Sequence, residues 1–435
     1  MSGATVAFSA IAILVFLLAI RFPIGPAMIV TSFAGIWVML GPMPAVGLMK
    51  SVPMEFAANW TLSSIPMFLL MGYVGYYAGQ TTSMFSLFKA IFARVPGSLA
   101  ISGIVACAGF SAVSGSSVAT AAAIGRITIP EMIRAGYDRN FACGTIAAGG
   151  TLGALIPPSI ALIIYGVLAE TSIVDLLLGS IGVGLATAIG YVAVIMVTAW
   201  LRPDLVPRSL PSVPREELIN SLKEMGPIIL LIIGTFGGLF AGIFTTTEAG
   251  AIGAALACLI ALAQGRLSWA TFLKSITETV ATCGSLFIIG VGATLFMRLL
   301  SLSGAGSFIT SFVTDMDLNY WQLMLMLVAL YLILGTALDG IGAMLITLPI
   351  VLPILDSHHI SLVFFGVFLC KMNEIGQITP PLGLTVFIVK SIVGNLTTVT
   401  GVFKGVLYFL VADMVVVTLI IVFPDIIMYL PTVMG

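Results

Sequence analysis

The chain has 435 residues, of which 60% are hydrophobic and only 8% charged, with a mean hydropathy of +1.19. So little charge excludes a soluble globular domain, and recurring runs of about 20 apolar residues mark a polytopic membrane protein. The net charge of −1 argues against a nucleic-acid partner or a polybasic lipid-binding role.

In chain order the reading is all-helical. The first basic residue is Arg21, so the N-terminus lacks the charged region of a signal peptide and residues 5–20 read as a retained span. A span at 24–41, a partly polar stretch at 43–60 and a span at 61–79 follow. Residues 80–95, with Ser83, Phe85, Phe88, Lys89, Phe92 and Arg94, form an amphipathic pattern too polar to cross and expected to lie in the interface plane. Residues 98–129 are apolar but folded back at Ser114-Gly115-Ser116-Ser117, with limbs too short to span, which predicts a re-entrant hairpin. Residues 140–170 read as a helix broken at Pro157-Pro158, and 174–200 as an unbroken span.

The link that follows (202–224, with Arg202, Arg208, Arg215 and Lys223) divides the chain into 1–200, a linker 201–225, and 226–435. The second half then repeats the order. Spans are expected at 226–244 and 246–264, a polar stretch at 266–280, a span at 282–301, a hairpin at 320–353, a broken helix at 361–393 and a last span at 397–423. Thr245 and Glu248 fit a capping box opening the second of these spans.

The two breaks, Ile156-Pro157-Pro158-Ser159 and Thr379-Pro380-Pro381-Leu382, each follow an apolar-Pro step and, before it, a Gly-rich turn. Pro157 and Pro380 are separated by the same 223 positions as Pro130 and Pro353, so the chain is an internal duplication. Positive charge sets orientation. The central link and the link 126–139 (Arg126, Arg134, Arg139) should be cytoplasmic, whereas 354–361 has no Lys or Arg and should face the other side. Counting spans outward places both termini outside and makes the repeat an inverted one, with one hairpin entering from each side. Arg298 and Lys371 do not fit this rule.

Paired broken helices in two halves point to a transport site. A proline pair removes two backbone donors and frees the carbonyls upstream, which in lipid must be satisfied by protein, water or an ion. Neutral oxygens of this kind suit a small hard cation. One sodium site is expected from Ser114, Ser116, Gly153 and Pro157, and a second from Gly340, Gly342, Thr379 and Pro380. Helix N-termini at about Ser117 and Gly342 favour an anionic, carboxylate-bearing substrate. Acidic groups occur only in the second copy: Asp339 and Glu374 stand where the first has Ser116 and Thr151, and either could complete a cation site or carry a proton. Ser117, Asp339, Asn373, Glu374 and Gln377 are the substrate-binding candidates. Lys371 either pairs with Glu374 at i,i+3 or binds substrate. Five scattered cysteines without a CxxC pair read as core residues, and His358-His359 as part of a polar link. HExxH, Walker A and GxGxxG are absent, so neither an enzyme nor an ATPase is indicated.

The stretches Phe110–Thr120, Gly153–Ser159, Phe244–Ala249 and Gln377–Gly383 resemble the large membrane subunit of tripartite ATP-independent periplasmic (TRAP) transporters, over essentially the whole chain. Thr246 stands where that family often has Pro. The resemblance implies a sodium-coupled secondary importer of organic acids in the bacterial inner membrane. It implies an elevator mechanism, with the hairpins and broken helices moving against a scaffold. It implies two partners: a small four-helix membrane subunit and a soluble periplasmic substrate-binding protein. It places the sodium sites at the hairpin tips and Pro breaks. The polar stretches 43–60, 80–95 and 266–280 would brace the scaffold or meet the small subunit. The competing readings are a stand-alone ion-coupled anion symporter of the hairpin-bearing class, a passive pore and, more remotely, a membrane enzyme.

Overall fold

The computed structural model describes residues 3–20, 22–207, 215–338 and 340–434; Arg208 and Asp339 lie outside the described residues. In the first half the helices are α1 (Gly3–Ala19), α2 (Ile24–Leu40), α3 (Pro42–Ala57), α4 (Ser64–Tyr77), α5 (Gln80–Phe92), α6 (Ser98–Ser114), α7 (Ser117–Arg134), α8 (Arg139–Gly150), α9 (Ile160–Leu168) and α10 (Ile173–Leu201). The second half has α11 (Arg215–Ile232), α12 (Gly238–Phe240), α13 (Thr246–Ala263), α14 (Trp269–Ser303), α15 (Ala305–Asp315), α16 (Tyr320–Ala337), α17 (Gly340–Ser357), α18 (Leu362–Gly376), α19 (Leu384–Val393), α20 (Val399–Val422) and α21 (Asp425–Met434). Short polar residues set many of the starts. Ser116, Asp138, Ser159, Ser172, Ser268, Ser361 and Thr398 each accept a backbone N–H of the first turn of the helix they precede. Thr245 and Glu248 form the expected capping box on α13, and Asn319 and Gln322 form another on α16.

Six segments among the described residues are long and apolar enough to cross a membrane, including α10, α14 and α20. Several elements differ from expectation. The polar stretch 266–280 and the span after it are one continuous helix, α14, of 35 residues. At 1.5 Å per residue it is about 52 Å long, well beyond a hydrocarbon core of about 30 Å. The helices after the two turns run past their expected ends, α7 through Pro130 to Arg134 and α17 through Pro353 to Ser357. Arg126 therefore lies inside α7, not in a link, and only residues 135–138 separate α7 from α8. In α5, Gln80, Thr81 and Ser83 are buried rather than turned outward, and the Ser83 hydroxyl donates to Glu224 Oε2 on α11 at 2.7 Å. Lys89 of α5 pairs with Glu131 of α7. These contacts satisfy Ser83 and Lys89, groups that an interfacial helix would have given to water, while the Gln80 amide is buried with no hydrogen-bond partner. The helices α15 and α21 have no counterpart in the sequence reading.

The helices pack in two neighbourhoods. In one, α14 lies against α2, α3 and α4, with α13 on α4. In the other, the pairs α6–α7 and α16–α17 surround α8, α10, α18 and α20. The two halves of the chain are interleaved here, since α8 packs along α20 and α18 against α9 and α10. At the α8–α20 crossing two backbones touch. A Cβ on Gly144 would fall 2.2 Å from the carbonyl carbon of Gly405, and one on Gly405 only 1.9 Å from the carbonyl oxygen of Asn140. Beside it, the Thr397 hydroxyl donates to Asn140 Oδ1 at 2.5 Å. The substitution Gly405→Ala should cost about 1–3 kcal/mol through overpacking, read as a lower melting temperature of the purified protein in detergent. A melting temperature equal to the parent's would contradict this close approach.

Candidate functional site

The turn between α6 and α7 and the break between α8 and α9 meet face to face. Gly115 has φ +61°, and a Cβ there would lie 2.6 Å from the Pro158 carbonyl oxygen. Glycine is required twice over, for the left-handed backbone and for the close approach. A Cβ on Gly153 would fall 2.6 Å from the Ser116 carbonyl group and the Ser117 Cα. The backbone at 115 also accepts the Ile160 N–H at 3.5 Å. The first expected cluster is thus assembled: Ser114, Gly153 and Pro157 are buried together, with Ser116 half-buried among them. The Ser114 hydroxyl pairs with Thr120 Oγ1 at 2.9 Å, and Ser116 Oγ caps α7. A hydroxyl so engaged keeps a lone pair for a cation.

The second copy is arranged differently. Gly340 and Gly342 are buried, but the approach to α18 falls one turn ahead of the break. The Asn373 amide donates to the Gly340 carbonyl at 2.7 Å, and a Cβ on Gly340 would lie 3.1 Å from Asn373 Cβ and 3.2 Å from Gln377 Nε2. Gly335 and Gly376 touch through their backbones. Thr379 donates back to the Ile375 carbonyl at 2.7 Å, and Pro380 and Pro381 are exposed, unlike the buried Pro157 and Pro158.

A cavity of about 610 Å³ lies where the two turns come together. Four helix starts line it: Ser117–Ala119 of α7, Ile160–Ala161 of α9, Gly340–Ile341 of α17 and Leu384 of α19. Each helix N-terminus carries roughly half a positive charge in N–H groups without intrahelical partners, so convergence of four makes the cavity favourable for an anion. Asn373, Glu374 and Gln377 of α18 also line it. Glu374 Oε1 accepts from Gln377 Nε2 at 2.8 Å and the Ser117 hydroxyl faces the Glu374 carboxylate, while Asn373 Oδ1 is buried with no hydrogen-bond partner. An orphaned oxygen costs stability unless a partner reaches it. Of the substrate candidates, four share this cavity; Asp339 lies outside the described residues.

The opposite wall was not foreseen. Tyr73, Tyr76 and Tyr77 of α4 and Lys274, Glu278 and Thr282 of α14 pack together into one part of the cavity lining. Tyr73 OH pairs with Thr282 Oγ1 at 2.9 Å, Lys274 Nζ sits 4.6 Å from the Tyr77 ring centroid, and Arg126 donates to Tyr76 OH at 3.2 Å. A signal existed: Lys274, Glu278 and Thr282 recur every fourth residue, one stripe of a helix.

Lys371 does not pair with Glu374, nor does it line the cavity. It is fully buried and donates to Asp413 Oδ1 of α20 at 2.5 Å and to Thr187 Oγ1 of α10 at 3.0 Å. The ammonium turns to the carboxylate across the helix interface because Glu374 turns toward the cavity and Gln377. Tyr191 OH also donates to Asp413 Oδ1, at 2.8 Å. Asp413, a lone carboxylate in an apolar run, could have been flagged from its position. Arg298, the other exception to the charge rule, lies 3.9 Å from Glu55 in an exposed pair. Among the described residues no group of three metal-ligating side chains occurs, and the five cysteines are free.

Residues 11–426 match the model of the family described as "Tripartite ATP-independent periplasmic transporter, DctM component". The chain belongs to this family. It is 33% identical over 345 residues to the C4-dicarboxylate TRAP transporter large permease protein DctM of Pseudomonas aeruginosa, covering 78% of this chain and 79% of that one. It is 32% identical over 395 residues to the sialic acid TRAP transporter large permease protein SiaM of Vibrio cholerae, covering 88% and 91%. Among solved structures, the YdaH transporter of Alcanivorax borkumensis shares the fold, with a TM-score of 0.62 at 14% identity over 88% of this chain and 89% of that one. The DctM-family chain is thus an all-helical, multi-pass transporter permease and not an enzyme.

Within this permease, Gly153→Ala would drive the α6–α7 turn off the first break, since the atoms it meets are backbone. The expected outcome is a folded, membrane-inserted protein with transport reduced about tenfold or more. Parent-like transport would show that the turn tolerates the displacement and that the contact is not needed.

Proposed function

We propose that the chain is the large transmembrane subunit of a sodium-coupled importer. It receives an organic acid from a periplasmic substrate-binding protein and moves it across the inner membrane by an elevator mechanism, beside a small four-helix membrane subunit. The observation that carries this reading is the convergence of four helix N-termini and the buried oxygens of Ser117, Asn373 and Glu374 on one cavity between the two turns. The helix starts suit a carboxylate. The buried oxygens of Ser117, Asn373 and Glu374, with the carbonyls freed at the breaks, suit a cation or a hydroxyl donor bound with it. The printed substrates of the relatives, C4-dicarboxylates and sialic acid, are both acids.

Two re-entrant hairpins, two broken helices and an inverted repeat are the architecture this reading requires. Helices that crossed fully would present their connecting turn to solvent; here Ser114, Gly115 and Ser117 are buried against the first break. The moving part would be α6–α10 with α16–α21, and the scaffold α1–α4 with α13 and α14. Tyr73, Tyr76, Tyr77 and Lys274 would then be fixed cavity walls past which the site slides. With the central link and the α7–α8 link cytoplasmic, both termini would be periplasmic, and the cavity beside Arg126 would open inward. Sodium holding the turns in the substrate-accepting geometry would couple the two: it raises substrate affinity, and substrate raises sodium affinity by the same factor.

The test is uptake of radiolabelled C4-dicarboxylates and sialic acid into proteoliposomes holding this chain and its small subunit, under an inward sodium gradient, with and without the binding protein. Uptake that needs both sodium and the binding protein is expected, and Ser116→Ala and Thr379→Ala should each shift the sodium dependence by about tenfold without blocking insertion. Uptake without the binding protein would instead favour the stand-alone symporter. Sodium activation unchanged in both variants would remove the turns and breaks from the ion sites.

A further inference from the structure

The buried ion pair between Lys371 and Asp413 lies outside the cavity, and the transport cycle described above does not use it. It is expensive to keep. Both side chains are removed from solvent, with exposures of 0% and 1%, and Asp413 Oδ2 has no partner. Apolar side chains of equal volume at such a position are often as stable or more so, which makes stability a weak reason for keeping the pair.

Its geometry gives another reason. Lys371 and Asn373 are two residues apart on α18, about 200° around the helix axis, so they point to nearly opposite sides. Lys371 is held by Asp413 on α20 and Thr187 on α10, and its ammonium also lies 5.9 Å from the Tyr191 ring centroid. On the other side Asn373 is held by the Gly340 carbonyl. Apart from these two pins α18 meets its neighbours mainly through apolar contacts, such as Gly376 on Gly335 and the Phe365 ring against Tyr165 and Tyr331, with weaker links from the Cys370 thiol to the Ala154 carbonyl and from Tyr165 OH to the Leu362 carbonyl at the helix start. Such surfaces let a helix turn about its axis; two polar pins on opposite faces do not. A small rotation would swing Glu374 and Gln377 out of the cavity.

We propose that Lys371, through Asp413, is a positioning residue: the pair fixes the rotational setting of α18 and thereby aims Asn373, Glu374 and Gln377 at the substrate without touching it. The inference rests on α18 being the substrate-facing helix of the proposed importer, but its readout needs no substrate. Cys370 is adjacent to Lys371, buried at 3% exposure on the cavity wall, and donates to the Ala154 carbonyl at 3.2 Å. Its thiol reports the rotation of α18. Cys107 on α6, also buried, reports general loosening.

The experiment is N-ethylmaleimide labelling of the full-length protein, quantified separately at Cys370 and Cys107 by peptide mass spectrometry, with melting temperature measured in parallel. In Lys371→Met/Asp413→Leu, which leaves no unpaired charge, Cys370 should label about tenfold faster at unchanged melting temperature, with Cys107 still protected. Lys371→Arg, which keeps the pair, should restore protection. Parent-like labelling of Cys370 in the double variant, or an equal rise at both thiols, overturns the proposal. Should the double variant not fold, Thr187→Val decides: it removes one of the two hydrogen bonds of Lys371 at constant volume and should speed Cys370 labelling about threefold, and no change there is equally fatal. Absent uptake in every proteoliposome arm would count against the transport function and leave this readout standing.

Discussion

Everything in the structure turns on how backbone polar groups are satisfied far from water. A helix that stays intact needs no help in an apolar medium, because each amide finds a carbonyl in its own chain. This chain interrupts two helices with proline pairs and then has to house the freed groups. In the first copy it does so by pressing a glycine turn onto the break, close enough that only Gly115 and Gly153 fit. That contact sets two of the four helix starts, α7 and α9, against the cavity, and α17, α18 and α19 close the rest of it.

The two copies solve the same problem unequally. The first break is buried under its turn, with Pro157 and Pro158 both inside; in the second, Asn373 and Gln377 meet the turn, and Pro380 is exposed. The difference follows from side chains that only one copy carries. Asn373, Glu374 and Gln377 give α18 polar reach one turn before the break, where the first copy has small residues such as Gly150 and Thr151. The two breaks thus share a backbone device, and the side chains that only one of them carries give the cavity its chemical polarity.

What could be read from the sequence was what is local. Breaks, turns and caps are written in neighbouring residues, so the two breaks, the helix start at about Ser117 and the Thr245–Glu248 box were legible, while α15 and α21 were not. Lengths were less so, because packing carried α7 and α17 through prolines that alone would stop a helix. Partnerships across the chain were not legible. Lys371 has a carboxylate three residues away, yet its partner is Asp413, 42 positions on. The tyrosine wall depends on α4 and α14 meeting, and Arg126, read as a marker of orientation, belongs to the site because α7 carries it to Tyr76 of α4. The family match establishes the transporter-permease class that the residues carried only as a resemblance.

The backbone contact between Gly144 and Gly405 sets a timetable for biogenesis. When α8 leaves the ribosome, the helix that closes over it is still 261 positions from being made. At roughly 5–20 residues per second, that is on the order of tens of seconds. Throughout that interval the small-residue groove of α8 has only lipid or an insertion factor to cover it. The nascent first half is therefore the vulnerable species, and quality control of this protein has its longest window before the last long helix arrives.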